Sequence, residues 1–387
     1  MVPAAHAMRA LLALKLFGNA RHSHVMGYIF DQGLALLAGL NVVPKRSFLT
    51  EYSCRIRPSC YPAVMREWFD QVARLGLTYG SSFDLDFHTI PFHGEDALVE
   101  KHYVTKRSRR QKGVLAFVAQ DATTRVFCYG NAAVSKDDRN DELIRFAEYW
   151  KQRTGSYPEE LIFDSQLTTY ANLSELSARG IHFITLRRRS QQMLAELRRK
   201  PASAWRRIEL ENVARAFRTP RVLDETVELT GYDGPIRQIA IADLGHEEPT
   251  ILLTNQLKRT PRKLVGRYAQ RMVIENGIED SIDFFHMDAL SSAVAMKVSC
   301  DLQLTLMASS LYRLLASKIG GSYATAKSRR IFRDFVDTTA NVEVSDAEVT
   351  VRLGKRAHNP LLLEAGFADR PIEVPWWEGR RLRLEIG

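Results

Sequence analysis

Between Phe83 and Leu186 the apolar pattern leaves few folds open. Three short runs with strand character come first: Phe83 to Phe87, Val114 to Gln120 and Val126 to Ala132. Asp141 then opens a segment with Leu143, Ile144, Ala147 and Trp150 on one helical side, and Gly155 is placed to end it. Leu161 to Phe163 reads as a buried strand that stops at an acid, Asp164. A helix carrying Leu173 and Leu176 follows and ends near Gly180, and His182 to Leu186 makes a fifth strand.

Three strands, a helix, a strand, a helix and a strand is the order of a ribonuclease-H-like fold, an α/β mixed sheet flanked by helices. The first part of such a core spans 79–186. From 187 to 259 the texture changes to a basic helical piece and then strands at Thr226 to Leu229, Ile236 to Ala242 and Thr250 to Thr254, which predicts a mostly β insertion. Thr260 as cap and Pro261 in the first turn open a helix expected to run through Tyr268, Arg271 and Glu275, so 260–320 returns to the core. Residues 1–78 read as helical, with Leu11 to Phe17, Val25 to Leu40 and Val64 to Leu75 at helical spacing, and 321–387 form a C-terminal region. Lys45 and Arg46 beside a helix start suit a DNA-reading module, and a packing cap would look the same.

The chain carries 54 lysines and arginines against 45 acids, a formal +9, which favours a polyanionic partner or simply a basic enzyme. Its four cysteines, Cys54, Cys60, Cys128 and Cys300, form no C-x-x-C pair and have no histidines at finger spacing. A structural zinc or disulfide framework is therefore not expected. The apolar stretch from Met1 to Phe17 is interrupted by Arg9 and Lys15 and reads as a helix rather than a leader. The run Val294 to Ala316 contains Lys297, Asp301 and Arg313, which are costly in a bilayer, so a buried amphipathic helix is predicted. These features together point to a reduced, cytoplasmic compartment.

Three acids suit metal-assisted phosphodiester chemistry: Asp86 near the end of the first strand, Asp164 ending the fourth, and Glu275 on the late helix. Two hard divalent ions about 3.5–4 Å apart can activate an attacking oxygen and stabilise a leaving one, and a few convergent carboxylates suffice to hold them. Each acid also has a plainer use. Asp84 shares a strand face with Asp86 by the two-residue repeat, so either can be the ligand. Asp164 before Ser165 is where a helix cap stands, and Glu275 is four residues from Arg271, the spacing of a surface ion pair.

Three segments resemble the DDE transposases of bacterial insertion sequences, in the group with a Y-R-E-K signature. They are Leu85 to Gly94 (LDFHTIPFHG), Leu161 to Tyr170 (LIFDSQLTTY), and Arg267 to Asn276 (RYAQRMVIEN) continuing to Asp283 to Ser292 (DFFHMDALSS). The likeness runs from about residue 80 to the region of Trp376 and Trp377. It implies that Asp86, Asp164 and Glu275 are the catalytic acids and hold Mg²⁺ or Mn²⁺, as two ions. It implies that Tyr268 and Arg271 contact the DNA backbone near the transposon end. It further implies double-stranded DNA partners, the terminal inverted repeats and the target, a homodimer at paired ends, and a bacterial, nucleoid-associated protein. The signature lysine belongs seven residues after the glutamate, where this chain has Ile282; Lys297 or the basic turn stands nearby as a substitute.

The basic turn from Thr105 to Lys112 (TKRSRRQK) offers Lys106, Arg107, Arg109 and Arg110 for phosphate contacts, and Arg187 and Arg188 after the fifth strand are further DNA-binding candidates. His88 and His93 flank the first acid but are poor magnesium ligands, so a structural role is expected. Trp376 and Trp377 are expected to pin the C-terminal tail. Metal-dependent cleavage at transposon ends with strand transfer into a target is the leading reading. A DNA-binding descendant without catalysis, or a cellular nuclease with the same core, are the alternatives.

Overall fold

Leu161, Ile162 and Phe163 are fully buried, so the strand they form must be covered on both faces. The computed structural model describes residues 2–77, 80–92, 99–104, 109–135, 137–165, 169–211, 218–245, 247–289 and 294–387. From the N-terminus come α1 (Ala4–Leu16), α2 (Gln32–Ala38), α3 (Arg46–Tyr52) and α4 (Tyr61–Arg74). Then follow β1 (Ser82–Pro91), β2 (Glu100–Val104), β3 (Arg109–Asp121), β4 (Phe127–Val134), α5 (Glu142–Thr154), β5 (Glu160–Phe163), α6 (Tyr170–Ala178) and β6 (His182–Leu186). Next are α7 (Gln191–Arg199), β7 (Arg206–Arg207), β8 (Arg221–Val227), β9 (Ile236–Ala242), β10 (Thr250–Thr254), α8 (Pro261–Ala269) and α9 (Met272–Asp283). The chain ends with α10 (Ala295–Ile319), α11 (Ser328–Ile331), β11 (Ala340–Val344), β12 (Glu348–Leu353), α12 (Asn359–Glu364), β13 (Ile372–Glu373) and β14 (Arg381–Ile386).

Two units divide these elements. The first comprises Tyr79–Thr89 and Leu115–Gly277. Strands β1, β5 and β6 run parallel, and the sheet order β3, β1, β5, β6, with β4 antiparallel to β3, is the ribonuclease-H-like arrangement that the element order predicts. Side chains alternate across the sheet. Phe83, Leu85, Leu161, Phe163 and Phe183 face α5 and α6, where Phe146, Trp150, Leu173 and Leu176 complete one core. Ile162 and Ile184 face the other way and pack with Leu264, Val265 and Ala269 of α8.

The insertion continues the same sheet. Strand β10 pairs antiparallel with β6, and β9, β8 and β7 follow outward. Helix α7 lays Leu194 and Leu197 inward, and Leu197 packs with Leu223, Ala240 and Ile251.

The second unit comprises Met1–Thr78, Ile90–Val114 and Ile278–Gly387. The apolar run predicted to be a buried helix is α10, and no described helix is long and apolar enough to cross a membrane. Lys15 of α1 is buried with its Nζ 2.7 Å from Asp301 of α10 and 2.8 Å from the carbonyl of Phe285. Trp68 of α4 donates to Ser310 of α10, and Tyr312 donates to the carbonyl of Leu16. A four-stranded sheet ordered β11, β12, β14, β13 closes the unit, and both tryptophans anchor it, Trp376 donating to the carbonyl of Leu37 and Trp377 to that of Leu36. All four cysteines are free.

Three sequence expectations are corrected. Arg109 to Lys112 belong not to a turn but to β3, paired with β2, a strand whose polar sequence gave no apolar alternation. Strand β8 starts at Arg221, five residues ahead of the predicted Thr226. The helix expected to run through Tyr268, Arg271 and Glu275 is broken into α8 and α9, because the N–H groups of Arg271, Val273 and Ile274 bond carbonyls three residues back and tighten the turn.

Gly277 marks a close approach within the first unit. A Cβ there would stand 2.5 Å from Gln120 Nε2 and 3.1 Å from the Phe127 ring. Gln120 is buried and donates to the carbonyl of Arg125, so it has little room to yield. Gly277→Val is expected to destabilise the fold by about 1–3 kcal/mol in a urea titration, and an unchanged midpoint would contradict this packing.

Candidate active site

Strand alternation decides which acids meet. Because Phe83 and Leu85 point to α5, Ser82, Asp84 and Asp86 point to the α8 side. Likewise Glu160 and Ile162 of β5 point to α8. The parallel register pairs Ser82 with Glu160 and Asp84 with Ile162. Asp86 lies one two-residue step beyond this register on β1, and Asp164 directly follows Phe163, the last residue of β5.

Arg267 of α8 and Arg271, at the break between α8 and α9, lie over these acids. Arg267 and Arg271 are four residues apart, a rise of about 6 Å, which nearly matches the two-residue step of about 6.7 Å between Asp84 and Asp86. Arg267 Nη2 lies 2.9 Å from Asp84, and Arg271 Nη2 lies 2.8 Å from Asp86. Two tiers of charge result.

The Arg267 tier is closed. Arg267 also sends Nε to Glu160 at 3.1 Å and Nη2 to the Ser82 hydroxyl at 3.1 Å. Glu160 accepts from Gln256, Ser82 and Arg259 as well. Burial alone would raise the Glu160 carboxyl, but these hydrogen bonds and cations outweigh it and hold the group below its usual range. Asp84 is only 1% exposed, and there burial wins over Arg267 and the carboxyl is raised. Two carboxylates face two guanidinium groups, and the ambiguity between Asp84 and Asp86 is narrowed: Asp84 is committed to Arg267.

The Arg271 tier is not balanced. Asp86, Asp164 and Glu275 all act electrostatically on Arg271, which bridges Asp86 and, at 3.4 Å, Glu275. Asp86 is pushed up to about 6, first by burial and further by Glu275 and Asp164, against the pull of Arg271 and the Phe87 N–H. Tyr268 faces the same acids, and burial holds its hydroxyl protonated, far above its ordinary range. Glu275 is 55% exposed, so its plain i,i+4 pair with Arg271 exists, but that arginine is itself buried against Asp86. Among the described residues, no three acid, histidine or cysteine side chains converge as placed tightly enough to hold a metal ion. The donor chemistry nevertheless suits one: Asp86, Asp164 and Glu275 are hard carboxylates that all act on Arg271, and three such charges against one guanidinium leave about the charge that a divalent ion carries.

Lys106, Arg107 and His93 lie outside the described residues, and Arg110 is exposed on β3, where Arg109 also stands. Arg187 is half-buried: its Nε meets the Tyr170 hydroxyl at 3.3 Å, its Nη1 bonds Gln238, and it lines a cavity of about 550 Å³ with Gln192, Glu196 and Glu228. Arg188 is exposed, and His88 is half-buried on β1. Sequence reasoning missed Arg267, Glu160 and Arg259. Arginines four apart facing aspartates two apart were the available signal.

The sequence model of the transposase DDE domain family matches residues 80–311, more than half of the chain. The chain belongs to this family. As a DDE transposase family member it carries a domain that generally works with divalent metal ions. No curated protein matches it. Among solved structures it is similar to a piggyBac transposase in a synaptic complex with hairpin DNA, at 13% identity and a TM-score of 0.42, over 87% of this chain and 78% of that one.

Two outcomes test the tiers. Replacing Arg267 by Met strands the buried Asp84 and takes one of two cations from Glu160, and should cost about 3–5 kcal/mol in urea unfolding, with Arg267→Lys recovering little because the forked contacts need a guanidinium; a loss below about 1 kcal/mol would refute the clamp. In the metal-free protein, Asp86 titrates near 6 against 3.8 in the unfolded chain. The folded state therefore binds the proton more tightly, and stability falls as pH rises from about 4 to 6. Asn at position 86 imitates the protonated acid, so Asp86→Asn in EDTA should stabilise at pH 7 by up to about 3 kcal/mol and not at all below pH 4. Destabilisation at pH 7 would show that Arg271 dominates instead.

Proposed function

We propose that this chain is a DNA transposase that cuts at the ends of its element and joins the freed strand to a target. What supports the reading is Arg271, which pairs with Asp86 at 2.8 Å and with Glu275 at 3.4 Å and also lies in the field of Asp164. In it, Asp86, Asp164 and Glu275 hold Mg²⁺ or Mn²⁺, as two ions. The bound metal supplies Lewis-acid stabilisation of the charge that develops on the phosphate and its leaving oxygen.

The chain's own residues orient the reactants. Asp86 stands on β1 and Asp164 directly after β5, while Tyr268 and Arg271 address the DNA backbone beside the scissile phosphate. Water adds to phosphorus, the P–O3′ bond breaks, and a 3′-hydroxyl and a 5′-phosphate remain. The freed 3′-hydroxyl then attacks a target phosphodiester, which releases the target's own 3′-hydroxyl and conserves the number of phosphodiester bonds. Lys106, Arg107, Arg109, Arg110, Arg187 and Arg188 provide further DNA contacts.

In this reading 79–186 and 260–320 form the catalytic core, 187–259 the insertion, 1–78 a region that reads the terminal inverted repeats, and 321–387 a C-terminal region. Two copies act at paired ends in the bacterial cytoplasm. A second reading, a DNA-binding descendant that does not cut, is favoured by one observation, Ile282 where the signature has lysine.

Purified protein with Mg²⁺ or Mn²⁺ should nick DNA carrying the element's ends, and Asp164→Ala should abolish nicking, by at least about a hundredfold, while sparing binding in a gel-shift assay. Binding without cleavage by the wild type selects the second reading. Loss of both functions, or of neither, in the variant contradicts the site.

A further inference from the structure

We infer that Arg271 is a displaceable internal counter-cation: it occupies the acids in the DNA-free protein and must be drawn off by a DNA phosphate before they accept metal, so DNA and metal load together. This rests on the reading of Asp86, Asp164 and Glu275 as the metal-holding acids. The guanidinium stands where that charge would go, 2.8 Å from Asp86 and 3.4 Å from Glu275. A divalent ion among the same oxygens would repel it, so the two exclude one another.

Arg271 differs from its neighbour Arg267 in ways that suit a moving part. Arg267 is satisfied by Asp84, Glu160 and Ser82 and sits inside α8. Arg271 is 7% exposed, yet its buried Nε has no hydrogen-bond partner. An unsatisfied buried donor raises the energy of the docked state and eases departure. Arg271 also stands at the tightened break between α8 and α9 rather than within either helix. A phosphate offers it two parallel charge-assisted bonds in exchange. By linkage, DNA then raises metal affinity by the same factor as metal raises DNA affinity.

The test is Mn²⁺ binding to metal-free protein, read from the spin-resonance signal of free Mn²⁺, with and without a short duplex of the already cleaved element end. Without DNA, Arg271→Gln should bind Mn²⁺ about tenfold more tightly than wild type, with Arg271→Lys in between. The duplex should tighten binding by the wild type and change the Gln variant little. A merely structural role for Arg271 would weaken binding, not strengthen it. Equal affinity of wild type and Gln variant without DNA overturns the inference. Should the Gln variant misfold and lose binding, a Lys variant no tighter than wild type overturns it instead. Asp164→Asn separates the two levels: if it leaves Mn²⁺ binding unchanged in every protein, the metal-site reading fails, whereas Asp164-dependent binding indifferent to Arg271 removes only the counter-cation.

Discussion

Arg267 reaches from α8 to two parallel strands at once, and the positions of the acids above it follow from that reach. Its bonds to Asp84 and Ser82 on β1 and to Glu160 on β5 lock the helix over the strand pair at one height. An apolar contact in the same place would stabilise comparably, since a buried ion pair gains little over well-packed hydrophobic residues once desolvation is counted. What the ionic contact adds is direction. Forked hydrogen bonds fix the helix against sliding along the sheet, and a slide of one residue, about 1.5 Å, would carry Arg271 and Glu275 off Asp86.

The contrast between the two tiers separates structure from chemistry. In the Arg267 tier the charges close on themselves, so the chain gains a rigid floor. In the Arg271 tier three carboxylates share one guanidinium, and Asp86 responds by holding its proton to about pH 6. A chain selected for stability alone would place an amide or an apolar side chain there. An uncompensated cluster of this kind, on strands otherwise packed tightly by Phe83, Leu85 and Phe163, costs the fold stability.

Much of this was legible in the sequence, for reasons that also explain what was not. Asp141 and Gly155 bracket α5, Thr260 and Pro261 start α8, and β9 and β10 fall on the apolar runs that predict them, because caps and alternation are local. Strand β2 and the basic start of β3 were illegible, since Glu100 to Val104 has no apolar face, although the two strands pair as neighbours in the chain. The break after Ala269 leaves no proline or glycine behind; it comes from tightened backbone bonds around Arg271. Asp84 and Asp86 are equivalent by periodicity, and only the helix laid over them assigns the first to a clamp. Arginines at 267 and 271 read equally as one solvated helical face until their burial is known.

The insertion belongs to this argument because its strands prolong the core sheet instead of forming a separate body. Arg237 on β9 is buried, pairs with Asp224 of β8, and donates to the carbonyls of Gln256 and Leu257 and to that of Arg259. Those residues form the short link between β10 and α8, so one side chain of the insertion gathers the loop that sets where α8 begins. Gln256 and Arg259 on the same link then bond Glu160. The path from insertion to third acid is therefore covalently short and polar throughout: Asp224, Arg237, the link, Arg267, Arg271, Glu275. A change in how the insertion seats on β6 would reach the acids through that path, and α6 meets the same link from the opposite face, where Asn255 donates to the Ser177 hydroxyl.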